Sequence, residues 1–304
     1  MLVVKVLVIK LAKNTTENNQ GSGKAIVVVH NDNKDNYQYL LDDKKWVKFN
    51  KLPSSVGKIW KIHQIDNEFY TIGNKGISTF NDEFYEFSKI SAKYYWWHTS
   101  CVVGTDMLIF RKSFEKESFC NGKAKLFDTN SKKFIDFNIK TKRAHFAVVC
   151  YLNKLWIIGG KLFDKTHELF NTIQVFDPVT KTQLLSPVEM TQARTDHRVV
   201  VYKDKLFVFG GSDIDDKPLS SVEMYSPITN EFAVMAPMKV ARCLFACCRV
   251  GNLVYVIGGQ TEGKEVTKSV EVYNLDTDVW TDGVEIPAAY YSMHACATSL
   301  SGHV

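Results

Sequence analysis

The chain has 304 residues, 45% hydrophobic, 12% aromatic and 23% charged, a profile that excludes disorder and collagen and supplies a large apolar core. Thirty-eight Lys and Arg against 33 Asp and Glu leave +5, too small and too dispersed an excess for nucleic-acid binding by charge alone. Seven cysteines, an odd set without a CxxC pair or a His-spaced metal pattern, point to a reducing, cytoplasmic setting and to no metal or cofactor.

The apolar start, Leu2 to Ile9, is too short to span a bilayer and lacks the charged lead and cleavage site of a secretory signal. Residues 1–23, polar and Gly-Ser-containing from Asn14 on, are expected to form an extension or linker, and residues 24–304 the folded body. Asn14-Thr15-Thr16 has the form of a glycosylation acceptor, which matters only in an exported chain. The body opens with a strand, Ala25-Ile26-Val27-Val28-Val29, and from there a period takes over.

An aromatic residue is followed seven positions later by another in five pairs: Tyr39 and Trp46, Phe80 and Phe87, Phe127 and Phe134, Tyr225 and Phe232, Tyr273 and Trp280. A sixth unit has Phe176 with Gln183 in the second slot. Turn residues lie between the members, as in Asp177-Pro178-Val179-Thr180 and Ser226-Pro227-Ile228-Thr229-Asn230, so each pair is expected to bracket a hairpin. Three apolar runs end in glycine pairs, Gly159-Gly160, Gly210-Gly211 and Gly258-Gly259, and predict central strands with a tight exit. A third column, thirteen residues before the aromatic of the glycine-ending strand, holds Gly57, Tyr95, Arg143, Arg194, Arg242 and Tyr291. It opens small-residue runs such as Ala147-Val148-Val149, Val199-Val200-Val201 and Ala246-Cys247-Cys248, a further strand.

Each unit thus has four strands, and six such units close most naturally into an all-β, six-bladed propeller. The segment from Tyr291 to Thr298 matches the small-residue strand, while the first unit starts at its second strand. The C-terminal strand is therefore expected to complete the first blade and remove the exposed edges.

These columns carry a family resemblance. Arg, thirteen residues to an aromatic, a Gly-Gly pair, Ser-Val-Glu-x-Tyr (Ser221 to Tyr225, Ser269 to Tyr273) and an aromatic after seven resemble the kelch repeat, most nearly that of BTB-kelch proteins. The likeness covers about residues 24–304 and is strongest in units four to six; Gly73-Asn74 and Arg111-Lys112 fill the glycine-pair slots of earlier units. It implies a kelch propeller acting as a non-catalytic interaction module. In BTB-kelch proteins that module is the substrate receptor of a cullin-based ubiquitin ligase, linked through a BTB domain; other kelch proteins bind actin, and some kelch-type propellers are copper-radical sugar oxidases or sugar mutarotases.

The resemblance also implies that the arginine of the repeat and the loop residues beyond the glycine pair hold the partner. Carried to this chain, these are Arg143, Arg194 and Arg242, with Tyr95 and Tyr291 in the same column and Lys75, Ser113, Lys161, Ser212 and Gln260 in the loops. Three guanidinium groups at one opening would suit an acidic or phosphorylated peptide. The competing reading is that each arginine bonds loop carbonyls of the scaffold. His98, His197 and His294 share a position with Trp60, Phe146 and Phe245, which reads as packing. Cys101, Cys247, Cys248 and Cys296 read as compact apolar filler, and Cys120, in a loop, as the better redox candidate.

Overall fold

The computed structural model describes residues 25–29, 36–49, 59–65, 68–73, 76–80, 85–88, 99–110, 123–139, 141, 143–162, 168–184, 188–289 and 295–297. They form antiparallel sheets, and regular helix among them is confined to one 3-10 turn, Glu262–Lys264. Six sheets have four strands. The first runs Ala295–Ala297, Ala25–Val29, Asn36–Leu40, Lys45–Phe49, and the second Ile59–Ile65, Glu68–Gly73, Gly76–Phe80, Tyr85–Ser88. The third runs Thr99–Val103, Asp106–Phe110, Lys123–Asp128, Lys133–Asn138, and the fourth Ala147–Tyr151, Lys154–Ile158, Thr172–Phe176, Val188–Glu189. The fifth runs Arg198–Tyr202, Lys205–Phe209, Val222–Ser226, Glu231–Met235, and the sixth Ala246–Val250, Leu253–Ile257, Val270–Asn274, Val279–Asp282. The N-terminal extension, Asn14 and Cys120 lie outside the described residues.

The core lies between sheets rather than within one layer. Leu155 and Ile157 of the fourth sheet pack with Leu108 and Phe110 of the third, whereas Trp156 and Ile158 pack with Leu206 and Val208 of the fifth. Phe207 and Phe209 turn the other way, onto Val254, Val256 and Tyr273 of the sixth. Second strands are therefore buried on both faces, which is why they read as unbroken apolar runs rather than as alternation. Ile26, Val28, Tyr37 and Tyr39 of the first sheet share a cluster with Ala246, Cys248 and Ile257 of the sixth. Trp46 Nε1 donates to the Val284 carbonyl across the same boundary (2.7 Å). Ile26, Val27 and Val28 stand opposite Ala297, Cys296 and Ala295 in register. The six opening strands touch in succession, from Ala295–Ala297 through Ile59–Ile65, Thr99–Val103, Ala147–Tyr151 and Arg198–Tyr202 to Ala246–Val250, which touches Ala295–Ala297 in turn.

Four of the aromatic pairs face each other directly: Tyr39 with Trp46, Phe127 with Phe134, Tyr225 with Phe232 and Tyr273 with Trp280. Phe176 and Gln183 form a bridge at the same place. Phe80 and Phe87 bracket their hairpin without facing each other: Phe80 stands opposite Tyr85, and Phe87 opposite Ser78. Phe80 is itself the last paired residue before the turn, one position nearer it than Tyr39 or Tyr225, each of which is followed by one more pair. The outer loops share one construction. The first loop residue caps the turn, as where Asp177 Oδ1 accepts from Val179 N (2.7 Å) and Thr180 N (2.9 Å). The last is left-handed: Lys132, Lys181, Asn230 and Asp278 have φ of 55°, 60°, 60° and 57°. Where the leading aromatic is Tyr225 or Tyr273, its hydroxyl donates to the Asn230 or Asp278 side chain. The tyrosine thus holds an Asn or Asp in the conformation those residues tolerate best.

The glycine pairs do what a Cβ forbids. Gly211 has φ +103°, and a Cβ there would lie 2.4 Å from the Thr195 carbonyl oxygen and 2.9 Å from His197 Cβ. Gly251, φ +61°, has nothing within 4 Å of that position. Gly211→Ala is expected to cost about 3 kcal/mol or more, strain added to backbone clash, and Gly251→Ala about 1 kcal/mol; urea denaturation of the two variants measures the difference.

Candidate functional site

The segment entering each opening strand and the segment leaving each second strand lie at one end of their sheet, because those strands are antiparallel. They are zipped together there. Arg143–Ala144 pairs with Lys161–Leu162, Thr195 exchanges backbone hydrogen bonds with Ser212 (3.0 and 2.8 Å), and Cys243 does so with Gln260 (3.0 and 2.9 Å). On the fourth, fifth and sixth sheets this brings the expected residues together in twos: Arg143 beside Lys161, Arg194 beside Ser212 and Arg242 beside Gln260. Of the expected partner-binding residues, Tyr95, Tyr291, Lys75 and Ser113 lie outside the described residues.

The arginines lie inside the fold, and the reading that they face a ligand is corrected. Arg194 and Arg242 are 0% exposed and Arg143 7%. The Arg194 Nη1 donates to the carbonyls of Gly210 (2.9 Å) and Ser221 (3.2 Å), Nη2 to Ser221 Oγ (3.1 Å) and Glu223 Oε1 (2.5 Å), and Nε to the Gln192 carbonyl (3.4 Å). Arg242 repeats the set on Gly258 (2.8 Å), Ser269 O (3.1 Å) and Oγ (2.8 Å), Glu271 (2.5 Å) and Val240 (3.3 Å). A guanidinium has five N–H donors, and here all five are engaged. Each arginine also receives on its own carbonyl the amide of the preceding sheet: Gly160 N to Arg194 O (2.9 Å), Gly211 N to Arg242 O (3.0 Å). The column is thus a relay that ties each glycine pair to the next sheet.

Glu223 and Glu271 complete it. Glu223 Oε2 accepts Thr191 N (2.7 Å), and Glu271 accepts Lys239 N (2.6 Å) and Val240 N (3.1 Å). Burial lowers the pKa of Arg194 and Arg242, and the facing glutamate opposes that fall. In the fourth sheet Gln174 takes the glutamate's place; Arg143 bonds Gly159 O (3.2 Å), Thr172 O (2.6 Å) and Thr172 Oγ1 (2.5 Å) and stacks on Phe170, 4.2 Å from its centroid. With no carboxylate, burial brings Arg143 down to about 10. The glutamates were visible as the charged residue of Ser-Val-Glu-x-Tyr, an acid in the middle of a buried strand.

Two positions beyond each arginine the chain becomes partly exposed. His145, Asp196 and Leu244 take φ of 55°, 53° and 52°, and they are joined from sheet to sheet: Asp196 N donates to His145 O (3.2 Å) and Leu244 N to Asp196 O (3.3 Å). His145 Nδ1 lies 3.1 Å from Asp196 Oδ1. Burial would raise the Asp196 pKa, but the charges of His145, Arg198 and Lys161 outweigh it and hold the carboxyl below its usual value. Lys161 and Gln260 flank this rim and are partly exposed; Ser212 is buried in its backbone pairing. The rim thus presents a base, an acid and an apolar side chain on three adjoining sheets. No repeat column marked these residues, because they share a backbone conformation and no chemistry.

The remaining titratable groups are built in. His197 fills the space left by the first glycine of the preceding sheet, its Cε1 2.8 Å from where a Gly159 Cβ would sit, and burial, then Arg194, pulls it down to about 3. Burial raises the thiols of Cys101 and Cys247, the latter to about 12, the condition of unreactive filler. Among the described residues there is no group of three or more His, Cys, Asp or Glu arranged to hold a metal ion, and no helix long and apolar enough to cross a membrane.

Residues 97–298 match the KLHDC2/KLHL20/DRC7 Kelch-repeats domain. The chain is 28% identical over 174 residues to the human Kelch repeat and BTB domain-containing protein 12, covering 52% of this chain and 28% of that one. It is 31% identical over 117 residues to Kelch-like protein 36 of Bos taurus, 36% and 19% of the two chains. Against Alpha-scruin of Limulus polyphemus it is 30% identical over 126 residues, 40% and 14%. The chain thus spans less than a third of the length of each of these relatives. The solved structure titled "Structure of YjhT" superposes with a TM-score of 0.54 at 15% identity, over 64% of this chain and 67% of that one, and so shares its fold.

Proposed function

The chain belongs to the Kelch-repeats domain family, and from that premise we propose that residues 24–304 form a six-bladed propeller, closed by the C-terminal strand, whose rim binds a protein or peptide partner without catalysis. The observation that carries this reading is the rim itself: His145, Asp196 and Leu244 are held in one conformation by sheet-to-sheet backbone bonds while their side chains differ. A repeated support bearing unlike side chains is a means of choosing one partner among many. The rim selects by a mixed surface, acid included, rather than by three arginines. The succession of touching opening strands and the cluster shared by the first and sixth sheets support the six blades and the closure.

Similarity to a protein named for its BTB domain favours service as the substrate receptor of a cullin-based ubiquitin ligase within a longer, cytoplasmic polypeptide. Similarity to Alpha-scruin favours a second reading, an actin-binding scaffold. The test uses Leu244→Asp: Asp tolerates the left-handed conformation, so the fold persists while a charge enters the rim. The expected result is normal unfolding with roughly tenfold or greater loss of captured partner; an unchanged set of bound proteins overturns the rim assignment. Cullin-ligase subunits recovered with the full-length protein support the receptor, and cosedimentation with actin filaments supports the scaffold.

A further inference from the structure

We propose that Ser226 is a phosphorylation site, at which the phosphate supplies the anionic turn cap that an aspartate supplies in the neighbouring sheet. The site lies at the end of the sheets opposite the rim and does not depend on the reading of the rim. The outer loops of the fourth and fifth sheets are Asp177-Pro178-Val179-Thr180-Lys181 and Ser226-Pro227-Ile228-Thr229-Asn230, one turn with a change of chemistry at its head. In both, the last loop residue has φ of 60°. Its amide donates to the carbonyl of the first, Lys181 N to Asp177 O and Asn230 N to Ser226 O, each at 2.8 Å.

The caps differ. Asp177 Oδ1 accepts Val179 N (2.7 Å) and Thr180 N (2.9 Å), and these amides, more than the Lys154 charge, hold its carboxyl below the usual value. Ser226 Oγ accepts from Thr229 N alone, at 3.3 Å. Leu155 stands opposite Phe176 and Leu206 opposite Tyr225, so the preceding residues, Lys154 and the exposed Lys205, are level with Asp177 and Ser226. The fifth sheet thus keeps the amides and the lysine of the cap and lacks its anion.

A phosphoserine dianion fits that vacancy, because its oxygens accept charge-assisted bonds from several donors at once. The segment is accessible: Ser226 and Pro227 are partly exposed, Ile228 is 83% exposed, and Thr229 and Asn230 are exposed. Pro227 also restricts Ser226 to extended backbone, the form in which a proline-directed protein kinase takes a serine. In the transfer, Ser226 Oγ attacks the γ-phosphorus of ATP. The new O–P bond forms as the bond to the β–γ bridging oxygen breaks, ADP leaves with that electron pair, and the hydroxyl proton passes to the base of the kinase. Glu231 stands opposite Ser226 and is exposed, so water and salt screen its repulsion.

The experiment incubates the intact chain with a proline-directed protein kinase and ATP, locates the phosphate by fragmentation mass spectrometry, and measures Tm for a chain with phosphoserine encoded at position 226. The folded chain is expected to take phosphate at Ser226, the Ser226→Ala variant to take none there, and the encoded phosphoserine to raise Tm by about 2 °C or more. Ser226→Asp should give part of that rise. Lys205→Met, which leaves the amides in place, should shrink the rise without preventing phosphorylation. A folded chain that takes no phosphate at Ser226, or takes it instead at Ser186, the other serine followed by proline, overturns the proposal. So does an encoded phosphoserine that leaves Tm unchanged or lowers it.

Discussion

Glu271→Ala is expected to lower the unfolding free energy by about 3–5 kcal/mol, the cost of leaving a buried charge without its partner. Arg242 has no exposure through which water could replace the carboxylate, and the Lys239 and Val240 amides lose their acceptor in the same stroke. Glu223→Ala should behave alike, exposing no other defect than the Arg194 pairing and the Thr191 amide. The double variant Arg242→Met, Glu271→Leu is the control. It removes both charges at similar volume and should recover much of the loss, so that the cycle reports a pair and not two independent deletions. Urea denaturation of the three variants measures it. A loss under about 1 kcal/mol would show that the arginine is not committed to the scaffold and would restore the column as a ligand site.

The same residues show how far the sequence could be read. Spacing alone located the hairpins, because an aromatic pair seven apart around a capped turn leaves few other geometries, and Tyr225 opposite Phe232 is its direct consequence. At Phe80 it located the hairpin but not the facing residue, because Phe80 is the last paired residue before the turn and Tyr85, rather than Phe87, stands opposite it. The arginine column was found but misread. Recurrence reports that a position is constrained and is silent on whether the constraint is a ligand or a carbonyl. The deciding clue was a second column, Glu223 and Glu271, 29 residues downstream of the arginines in each case. An acid in a strand flanked by Val222 and Tyr225 must be buried, and a buried acid needs a cation. The rim was the least legible part. His145, Asp196 and Leu244 are united by a positive φ, and neither His nor Leu announces that conformation as glycine would.

Deleting residues 291–304 is expected to abolish cooperative unfolding. The opening strand of every other sheet lies in its own unit, whereas that of the first arrives from the other end of the chain. Without it Ala25–Val29 becomes an open edge, the contacts from Ala295–Ala297 to Ile59–Ile65 and to Ala246–Val250 vanish together, and the cluster joining Ile26 and Val28 to Ala246 and Ile257 loses its cover. A ring stores its stability in the boundaries between sheets, so one missing strand weakens two of them, a loss on the scale of the ~5–15 kcal/mol that holds a domain folded. The converse variant tests closure without damage. Val27 stands opposite Cys296 in register, and Val27→Cys places a second thiol there, at a separation an antiparallel pair makes suitable for a disulfide. Oxidation should yield a chain that migrates faster without reductant, because its ends are tied, and that unfolds at higher temperature. A linkage enclosing so long a loop restrains the unfolded chain by about 4–5 kcal/mol. A truncated chain that still unfolds in one sharp transition, or an introduced thiol that never joins Cys296, would mean that the ends do not meet.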